Sequence, residues 1–402
     1  MVSTPPLPEQ STDRTVRTVS RRRLLALAGA GASFGAWARP VAAGHPTVVP
    51  AGSGRIRLVG TGQRYVLEGD IEGPIEVVGR GVSLDGNGYT ITPRENRVGI
   101  DVDRSRGVRL ANLRIVGGGT AIRLRDSQGV RVRDAWIRRS GVGVDMEDAA
   151  GRLDNLTIVG TRNSGIRLKD TRAVVTATTV QECGRRGRSS GIVADTERDI
   201  QFRRCLSRGS GRHGFVLDGD DEATLTVVRC GAMENRGDGF DVEDFTETEL
   251  RCSVALSNGG SGFDIDDIGA LAVARTSAIR NDDHGFDIRT RNPARLVSTT
   301  AFRNQDDDYR LTGPVFQTVA DEPVRGRCSP AATIRLLRRQ AVDAETAGVL
   351  GSKPGTGWLD EFETGPGDQD GRGRGRAGGQ GRRRAGGRGR GRSRGRGRRN
   401  RA

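Results

Sequence analysis

The feature that most constrains this chain is a repeat of 22 to 26 residues that begins with a turn position. Between Asn235 and Ile288 the triplet Gly-Phe-Asp occurs three times, at a spacing of 23 residues. The column of turn positions extends in both directions and reads Gly99, Ala121, Gly143, Gly165, Gly191, Gly214, Gly239, Gly262, Gly285 and Asp308. Apolar residues stand one and three positions after each turn, so each repeat contains a short strand with one buried face.

A second alternating run lies in the middle of each repeat, as in "VRLANLRIV" and "TLTVVRC", and no repeat carries a long helical pattern. Units with two or three strands cannot bury their faces alone, so we expect them to stack into a solenoid with coils about 4.8 Å apart. Asn235, Asn258, Asn281 and Asn304 should then form a ladder of amides at one turn. The glycine column should supply backbone conformations that a Cβ atom resists. The predicted fold is all-β, with a narrow core of small and β-branched side chains.

Two features carry a family resemblance: "VSLDGNGYTITP" (Val82 to Pro93) and coils of the form Cys-x-Ala-x-x-Asn-x-x-x-Gly-Phe-Asp. Together they resemble the secreted right-handed parallel β-helix proteins related to pectate lyases and to the NosD-like repeat group. The resemblance covers Ile56 to Leu311 and implies a right-handed parallel β-helix of about ten or more coils. That family contains polysaccharide lyases, hydrolases, uronate epimerases and members without known catalysis, so the resemblance implies a fold and not one activity.

The predicted organisation has five parts. Residues 1–43 are predicted to be a twin-arginine signal peptide, because Arg21 and Arg22 precede a Gly/Ala-rich apolar segment that ends in small residues at Ala43. Residues 44–98 form an N-terminal cap and the first coils, and residues 99–325 form the repeats. Residues 326–350 should contain a helix that caps the open end of the solenoid, and residues 351–402 a disordered Gly/Arg-rich tail. This organisation predicts a secreted or cell-surface monomer without a membrane span in the mature chain.

The net charge of +15 is concentrated at the two ends of the chain. Residues 371–402 contain fourteen Arg and no acid, and no apolar residue larger than Ala. Such a segment cannot build a core, so it should act through charge. We expect it to anchor the protein on a cell-surface glycan. Nucleic acid is a second possible partner, through this tail only, although the tail has no aromatic residue to stack on bases.

Four cysteines fall inside the repeats. Cys183, Cys205 and Cys230 share one inward position, and Cys252 stands one place earlier. Buried thiols that fill a narrow core are the favoured interpretation. A disulfide between neighbouring coils is the alternative, since an exported chain allows it. Cys328 has no assigned partner.

The outward positions after each turn differ between the two halves of the chain. In the first coils acid and base alternate down two columns, which read Asp101, Arg123, Asp145, Arg167 and Asp103, Arg125, Glu147, Lys169. In later coils the alternation ends and leaves an acidic strip, which we define as Asp241, Glu243, Asp264, Asp266 and Asp287. Two like charges about 5 Å apart repel by roughly 1 kcal/mol even in water.

High salt, raised carboxyl pKa values or a bound cation would relieve this repulsion. Asp241, Glu243, Asp264 and Asp266 are the predicted metal ligands, with Ca²⁺ as the cation that suits carboxylates best. A solvated acidic face without a metal is the alternative interpretation.

Candidate catalytic residues lie beside the strip. His284 follows Asp282 and Asp283 in a segment similar to the Asp-Pro-His-Asp motif of uronate epimerases, although the Pro and the final acid are absent. The predicted catalytic residues are His284, Asp283 and Arg310, and the predicted substrate-binding residues are Asp241, Asp264, Asp287 and Arg289. A polar turn residue without a catalytic role is the alternative interpretation of His284. His213 occupies the same position three coils earlier, which is too far away to share a metal with His284.

Two functions follow from these residues. One is an exported β-helix protein that binds or scaffolds acidic polysaccharide at the cell surface, anchored by its basic tail. The other is a polysaccharide lyase or uronate epimerase that acts on an acidic glycan. A compact cluster of acid, base and arginine on adjacent coils would favour the enzyme. A role in copper maturation lacks the Met and His ligands that it needs.

Overall fold

The structure is a computed structural model that describes residues 16–19, 45–184, 189–220, 222–318 and 332–337. The chain divides into two units, Met1–Pro354 and Gly355–Ala402, and the second lies outside the described residues. The predicted basic tail lies outside the described residues. The predicted signal segment also lies outside them, except for the short strand Val16–Val19.

The repeats form a parallel β-solenoid of about 11 turns, which confirms the predicted right-handed β-helix fold. Successive coils stack in parallel and in register to give three sheets. The first sheet contains β1 Val16–Val19, β4 Arg55–Thr61, β7 Ile75–Arg80, β10 Val98–Asp103, β12 Thr120–Arg125, β14 Val142–Glu147, β16 Ile166–Lys169, β19 Ile192–Asp195, β22 Phe215–Asp218, β25 Phe240–Glu243, β28 Phe263–Asp266, β31 Phe286–Arg289 and β34 Tyr309–Thr312.

The second sheet follows the first in every coil. It contains β2 Thr47–Val49, β5 Arg64–Leu67, β8 Ser83–Asp85, β11 Arg109–Val116, β13 Gln128–Arg138, β15 Ala150–Val159, β17 Arg172–Thr176, β20 Ile200–Arg203, β23 Thr224–Val228, β26 Glu247–Arg251, β29 Ala270–Ala274, β32 Ala294–Val297 and β35 Val315–Thr318.

The third sheet closes each coil, and the long strands β11, β13 and β15 run on from the second sheet into it. Its other strands are β3 Gly52–Ser53, β6 Ile71–Glu72, β9 Thr90–Ile91, β18 Thr179–Gln181, β21 Leu206–Arg208, β24 Gly231–Met233, β27 Val254–Leu256, β30 Ser277–Ile279 and β33 Thr300–Phe302.

The core is a narrow column filled from all three sheets. Most inward positions carry Val, Ile, Leu or Ala. The apolar residue after each turn becomes aromatic in the later coils, and these rings stack nearly parallel with centroids 4.6 to 5.4 Å apart. The stack consists of Phe215, Phe240, Phe263, Phe286 and Tyr309. Because the ring spacing matches the coil spacing, each ring packs on its neighbours without disturbing the register.

The predicted Asn ladder is confirmed. The side-chain Nδ2 of Asn235 donates to Oδ1 of Asn258 at 2.9 Å, and Asn258 donates in the same way to Asn281 at 3.0 Å. Asn281 continues the ladder to Asn304 at 2.9 Å. Asn258 also donates to the carbonyl of Ala232 at 3.1 Å, so its amide joins three coils. Each amide thus satisfies backbone groups that the turn would otherwise leave buried and unpaired.

The glycine column is explained by space and not by unusual backbone angles, which corrects our expectation. Gly239 and Gly262 do not have positive φ values. A Cβ atom on Gly239 would lie 2.6 Å from the carbonyl oxygen of Gly262 and 2.9 Å from Nδ2 of Asn258. Glycine is required there because the next coil and the Asn ladder leave no room for a side chain.

The predicted C-terminal helix is present over residues 332–337, and its described contacts lie on the side of the solenoid. The rest of the predicted capping segment, 326–331 and 338–350, lies outside the described residues. The Thr333 hydroxyl donates to the carbonyl of Cys252 at 3.1 Å, and Leu337 packs where Gly231 leaves space. Both contacts precede the last coil, which contains β34 and β35. Ile334 and Leu337 are buried, so the apolar face of the helix packs against the third sheet.

The four cysteines within the repeats are not all in the same state. Cys183, Cys205 and Cys230 are buried free thiols, as the core-filling interpretation predicts. Burial raises the pKa of Cys183 to about 11, so this thiol stays protonated. Cys252 is disulfide-bonded to a partner outside the described residues.

Two further observations concern the chain ends and the membrane. Val16–Val19, inside the predicted signal segment, pairs in parallel with Arg55 to Leu58 at the start of the first sheet. Among the described residues, no helix has the length and apolar character needed to cross a membrane.

Candidate functional site

In the first half of the solenoid, the charges on the outer face of the first sheet are paired between coils. Arg167 donates to Asp145 through two hydrogen bonds of 2.8 and 2.7 Å, and Arg123 contacts Asp101 in the same two-point geometry. Each acid therefore has an arginine one coil away. This part of the face is structural, as the alternating columns predicted.

In the second half, the acidic strip forms as predicted. Asp241, Asp264 and Asp287 are direct neighbours on β25, β28 and β31. Arg289 is the main counter-charge: it donates to Asp264 at 2.8 Å, to Asp266 at 3.0 Å and to Asp287 at 2.9 Å. We had not expected one guanidinium to relieve the repulsion among three carboxylates. The sequence signal was its position, one coil after Asp266 in the same outward column.

Raised carboxyl pKa values provide further relief, and they are one of the three possibilities that the sequence left open. Burial raises the pKa of Asp264 to about 6, with a further contribution from Asp287, Asp238 and Asp241, although Arg289 acts in the opposite direction. Burial also raises the pKa of Asp241. The pKa of Glu243 is raised by burial and by the charge of Asp241. The strip thus contains a carboxyl group that titrates near neutral pH.

The three predicted catalytic residues lie together at the end of the strip. His284 Nε2 lies 3.3 Å from Nη1 of Arg310 and 3.4 Å from Oδ1 of Asp283. Arg310 also approaches Asp287, at 3.6 Å between Nη1 and Oδ2. The His284 side chain is 11% exposed, whereas the Arg310 side chain is 53% exposed and can reach a ligand. Burial raises the pKa of Asp283, with the nearby carboxyl of Asp306 acting in the same direction and His284 opposing it.

Two polar atoms in this cluster lack hydrogen-bond partners among the described residues. Nδ1 of His284 and Oδ1 of Asp287 are buried and make no hydrogen bond. Leaving such atoms unpaired costs about 1 to 3 kcal/mol each. Native structures contain few of them, so their concentration beside Arg310 marks this cluster as a functional candidate.

The sequence analysis missed a second His–Asp pair at the other end of the strip. His213 Nδ1 lies 2.7 Å from Oδ2 of Asp238, and its Nε2 lies 3.8 Å from Oδ2 of Asp241. Burial works to raise the pKa of Asp238, but the hydrogen bond and charge of His213 outweigh it, so that pKa is lowered. The signal was available, because Asp238 and His213 both stand one residue before the turn glycine on adjacent coils.

The predicted metal ligands can be tested for fit. Arg289 contacts Asp264 and Asp266, so a cation bound there would compete with its guanidinium. Among the described residues, the groups whose ligand atoms lie within 4.8 Å of one another are His213–Asp238–Asp241 and Asp283–His284–Asp306. Both contain an imidazole, which Ca²⁺ does not favour. The Ca²⁺ site at Asp241, Glu243, Asp264 and Asp266 stays a prediction.

Comparison with known proteins supports the fold. Residues 80–225 match the family described as right handed beta helix region, a match that ends before the acidic strip. No curated protein matches the chain.

Three solved structures with similar folds are those of carbohydrate-active proteins. The catalytic domain of a GH87 alpha-1,3-glucanase in complex with nigerose is 11% identical, with a TM-score of 0.46 over 68% of this chain and 63% of that one. The periplasmic alginate epimerase AlgG is 11% identical, with a TM-score of 0.45 over 66% of this chain and 76% of that one. The A-module of the mannuronan C-5 epimerase AlgE6 from Azotobacter vinelandii is 11% identical, with a TM-score of 0.41 over 69% and 92%. At these values the likeness concerns the β-helix alone.

Proposed function

We propose that this protein binds an acidic polysaccharide at the Arg310 end of the acidic strip and processes it as a lyase or uronate epimerase. The observation that carries the proposal is the contact of His284 Nε2 with both Arg310 and Asp283, beside the carboxylates of the strip. This is the compact cluster of base, arginine and acid on adjacent coils that distinguishes the enzyme from the scaffold.

Each residue of the cluster has a role in such a reaction. Arg310 would pair with the uronate carboxylate, which makes the proton on C5 easier to remove. His284 Nε2 would accept that proton as the general base. Asp264 is partly protonated near neutral pH because of its raised pKa of about 6, so it would serve as the acid.

The two reactions differ in where the second proton goes. In a lyase, the C5–H and C4–O bonds break, a C4=C5 double bond forms, and the acid protonates the departing oxygen. In an epimerase no C–O bond breaks, and the acid returns a proton to the opposite face of C5. Arg310 contacts both His284 and Asp287, so a sugar paired with Arg310 would lie within reach of both the base and the carboxylates of the strip.

Charge sets a condition on the substrate. Acids outnumber arginines on this face, so a polyanion is attracted only where Arg310 is exposed. A divalent cation would screen the remaining carboxylates and strengthen binding. We therefore expect processing to increase in the presence of Ca²⁺, although Arg289 already neutralises part of the strip.

A second candidate is a non-catalytic protein that scaffolds acidic polysaccharide at the cell surface after twin-arginine export. The observation in its favour is the tail of fourteen arginines over residues 371–402. Deleting this tail should leave folding intact and release the protein from anionic resin at lower salt, because salt screens exposed charge. Equal retention with and without the tail would contradict an anchoring role.

The deciding experiment incubates the protein with polygalacturonate and alginate, with and without Ca²⁺. Unsaturated ends are followed by ultraviolet absorbance, and the configuration at C5 by NMR. His284→Gln should lower turnover by about a hundredfold or more while binding persists, since the base is lost but the arginine remains. His45→Gln is the matched control, because His45 is exposed and lies in the first coil. Binding without turnover by the wild-type protein would favour the scaffold instead.

A further inference from the structure

A cavity of about 600 Å³ lies on the second sheet, away from the acidic strip. Its floor is formed by the outward alanines of β29, Ala272 and Ala274, whose small side chains leave a hollow between β26 and β32. Val228 and Val297 add apolar walls. The volume falls within the range of about 300 to 1,000 Å³ that is usual for small-ligand sites.

Four arginines line this cavity, and we name it the arginine groove after them. They are Arg229, Arg251, Arg275 and Arg295. Across the parts of the chain that the structure describes, only Arg251 of the four has an ion-pair partner, Glu249 at 2.9 Å. Nε of Arg229 is buried and has no hydrogen-bond partner. Positive charges gathered around one hollow repel one another, and a buried donor without an acceptor is costly. Both costs are removed by a bound anion.

The rest of the second sheet shows that arginines alone do not make such a site. Arg109, Arg131 and Arg152 also form an outward column on β11, β13 and β15, and all three are exposed. That column does not line the cavity and contains no buried unpaired donor among the described atoms. The arginine groove therefore differs from this column in having a hollow and a buried donor without a partner among the described atoms.

We propose that the arginine groove binds a uronate residue of an acidic polysaccharide and so provides an anchoring subsite on a different sheet from the candidate active site. The carboxylate would accept hydrogen bonds from the guanidinium groups, which match it in geometry. The apolar C–H face of the sugar would lie on Ala272 and Ala274. The identity of the ligand rests on the proposed function, because it takes the polysaccharide to be acidic.

The test measures binding of digalacturonate by calorimetry to the full chain. Arg275→Ala with Arg295→Ala should weaken binding by about tenfold or more, because two charge-assisted contacts are lost. The control pair, Arg109→Ala with Arg131→Ala, makes the same charge change on the same sheet and should alter binding by less than about twofold. Alanine is tolerated at the left-handed corner of Arg275, since Ala177 has a φ of 50° at the equivalent corner. Melting temperatures of both variants check that the fold is retained.

Several outcomes would overturn the proposal: no binding by the wild-type protein, equal weakening in both variant pairs, or equal affinity for a neutral disaccharide. Equal affinity for inorganic sulfate would show that the groove binds anions without recognising a sugar, and it would also contradict the proposal. Repeating the titration in Arg310→Gln removes the cation assigned to the uronate at the strip, and groove binding should persist. If polysaccharide is not processed but binding depends on Arg275 and Arg295, the enzyme proposal fails and the groove proposal stands.

Discussion

The two halves of the first sheet have the same strand geometry, the same register and the same two outward columns. Their charge patterns differ, because one half alternates acid and base and the other carries the acidic strip. In the first half, Arg123 and Arg167 each neutralise an aspartate one coil away. In the second half, Arg289 is shared by Asp264, Asp266 and Asp287, and Arg310 adds a longer contact of 3.6 Å to Asp287. The first half shows that alternating charges are compatible with this scaffold. The acidic strip is therefore not imposed by the fold, and its cost in stability points to a function.

The largest effect is expected from a change in the Asn ladder, which runs through the same coils as the strip. Asn258→Ala removes an amide that joins three coils and leaves buried backbone groups unpaired, so it should destabilise the protein by about 2 to 4 kcal/mol. Urea unfolding measures the change. Asn155→Ala is the control in the first half, because its side chain makes an exposed hydrogen bond to Asp134 at 2.8 Å. An equally small effect at both sites would show that the ladder does not stabilise the strip-bearing coils.

The next test removes the shared counter-charge. Arg289→Gln leaves three carboxylates without their guanidinium and should cost about 1 to 3 kcal/mol at pH 7 and low salt. Arg123→Gln leaves one carboxylate in the alternating half and should cost about 1 kcal/mol or less. The difference between the variants should shrink at high salt, since screening weakens repulsion among exposed charges. Equal losses would mean that the strip is no more strained than the alternating columns.

A smaller effect is expected from pH. The pKa of Asp264 in the folded protein, about 6, lies above its ordinary value of 3.8, so folding favours the protonated form. The stability that this group contributes is complete below the ordinary value and is lost as pH rises through about 6. The free energy of unfolding should therefore increase by up to about 1 kcal/mol between pH 7 and pH 5, allowing for solvent screening.

Asp264→Asn should flatten this pH dependence, because the amide does not titrate. Asp145→Asn, in the alternating half, should leave it in place. An unchanged slope in Asp264→Asn would assign the titration to another group.

The smallest expected effect is that of a divalent cation. At fixed ionic strength, millimolar Ca²⁺ should raise the unfolding free energy by less than about 1 kcal/mol, because Arg289 already contacts Asp264 and Asp266. The effect should grow in Arg289→Gln and vanish in Asp264→Asn. A shift of the same size in all three proteins would indicate general screening and no site at Asp241, Glu243, Asp264 and Asp266.

The sequence alone predicted those features that follow from the in-register stacking of the coils. Residues in one sequence column become neighbours in space, so the Asn ladder and the alignment of Asp241, Asp264 and Asp287 followed from spacing. The reach of Arg289 to three carboxylates depends on a side-chain conformation that spacing does not set. His213 and Asp238 are turn residues on adjacent coils. Their contact was missed because the search for functional residues considered the outward positions of the strands. The position of residues 332–337 depends on packing against Gly231 and Cys252, outside any repeat.

In the later coils, the aromatic stack and the Asn ladder place the same side chain in the same environment from one coil to the next. A duplicated unit of 23 residues, such as Gly262 to His284, would therefore insert without changing the contacts of the coils around it. Each such insertion would lengthen the acidic strip by one coil, about 4.8 Å, and shorter insertions would break both the stack and the ladder. Descendants of this chain can thus change the length of the acidic strip only in whole-coil steps.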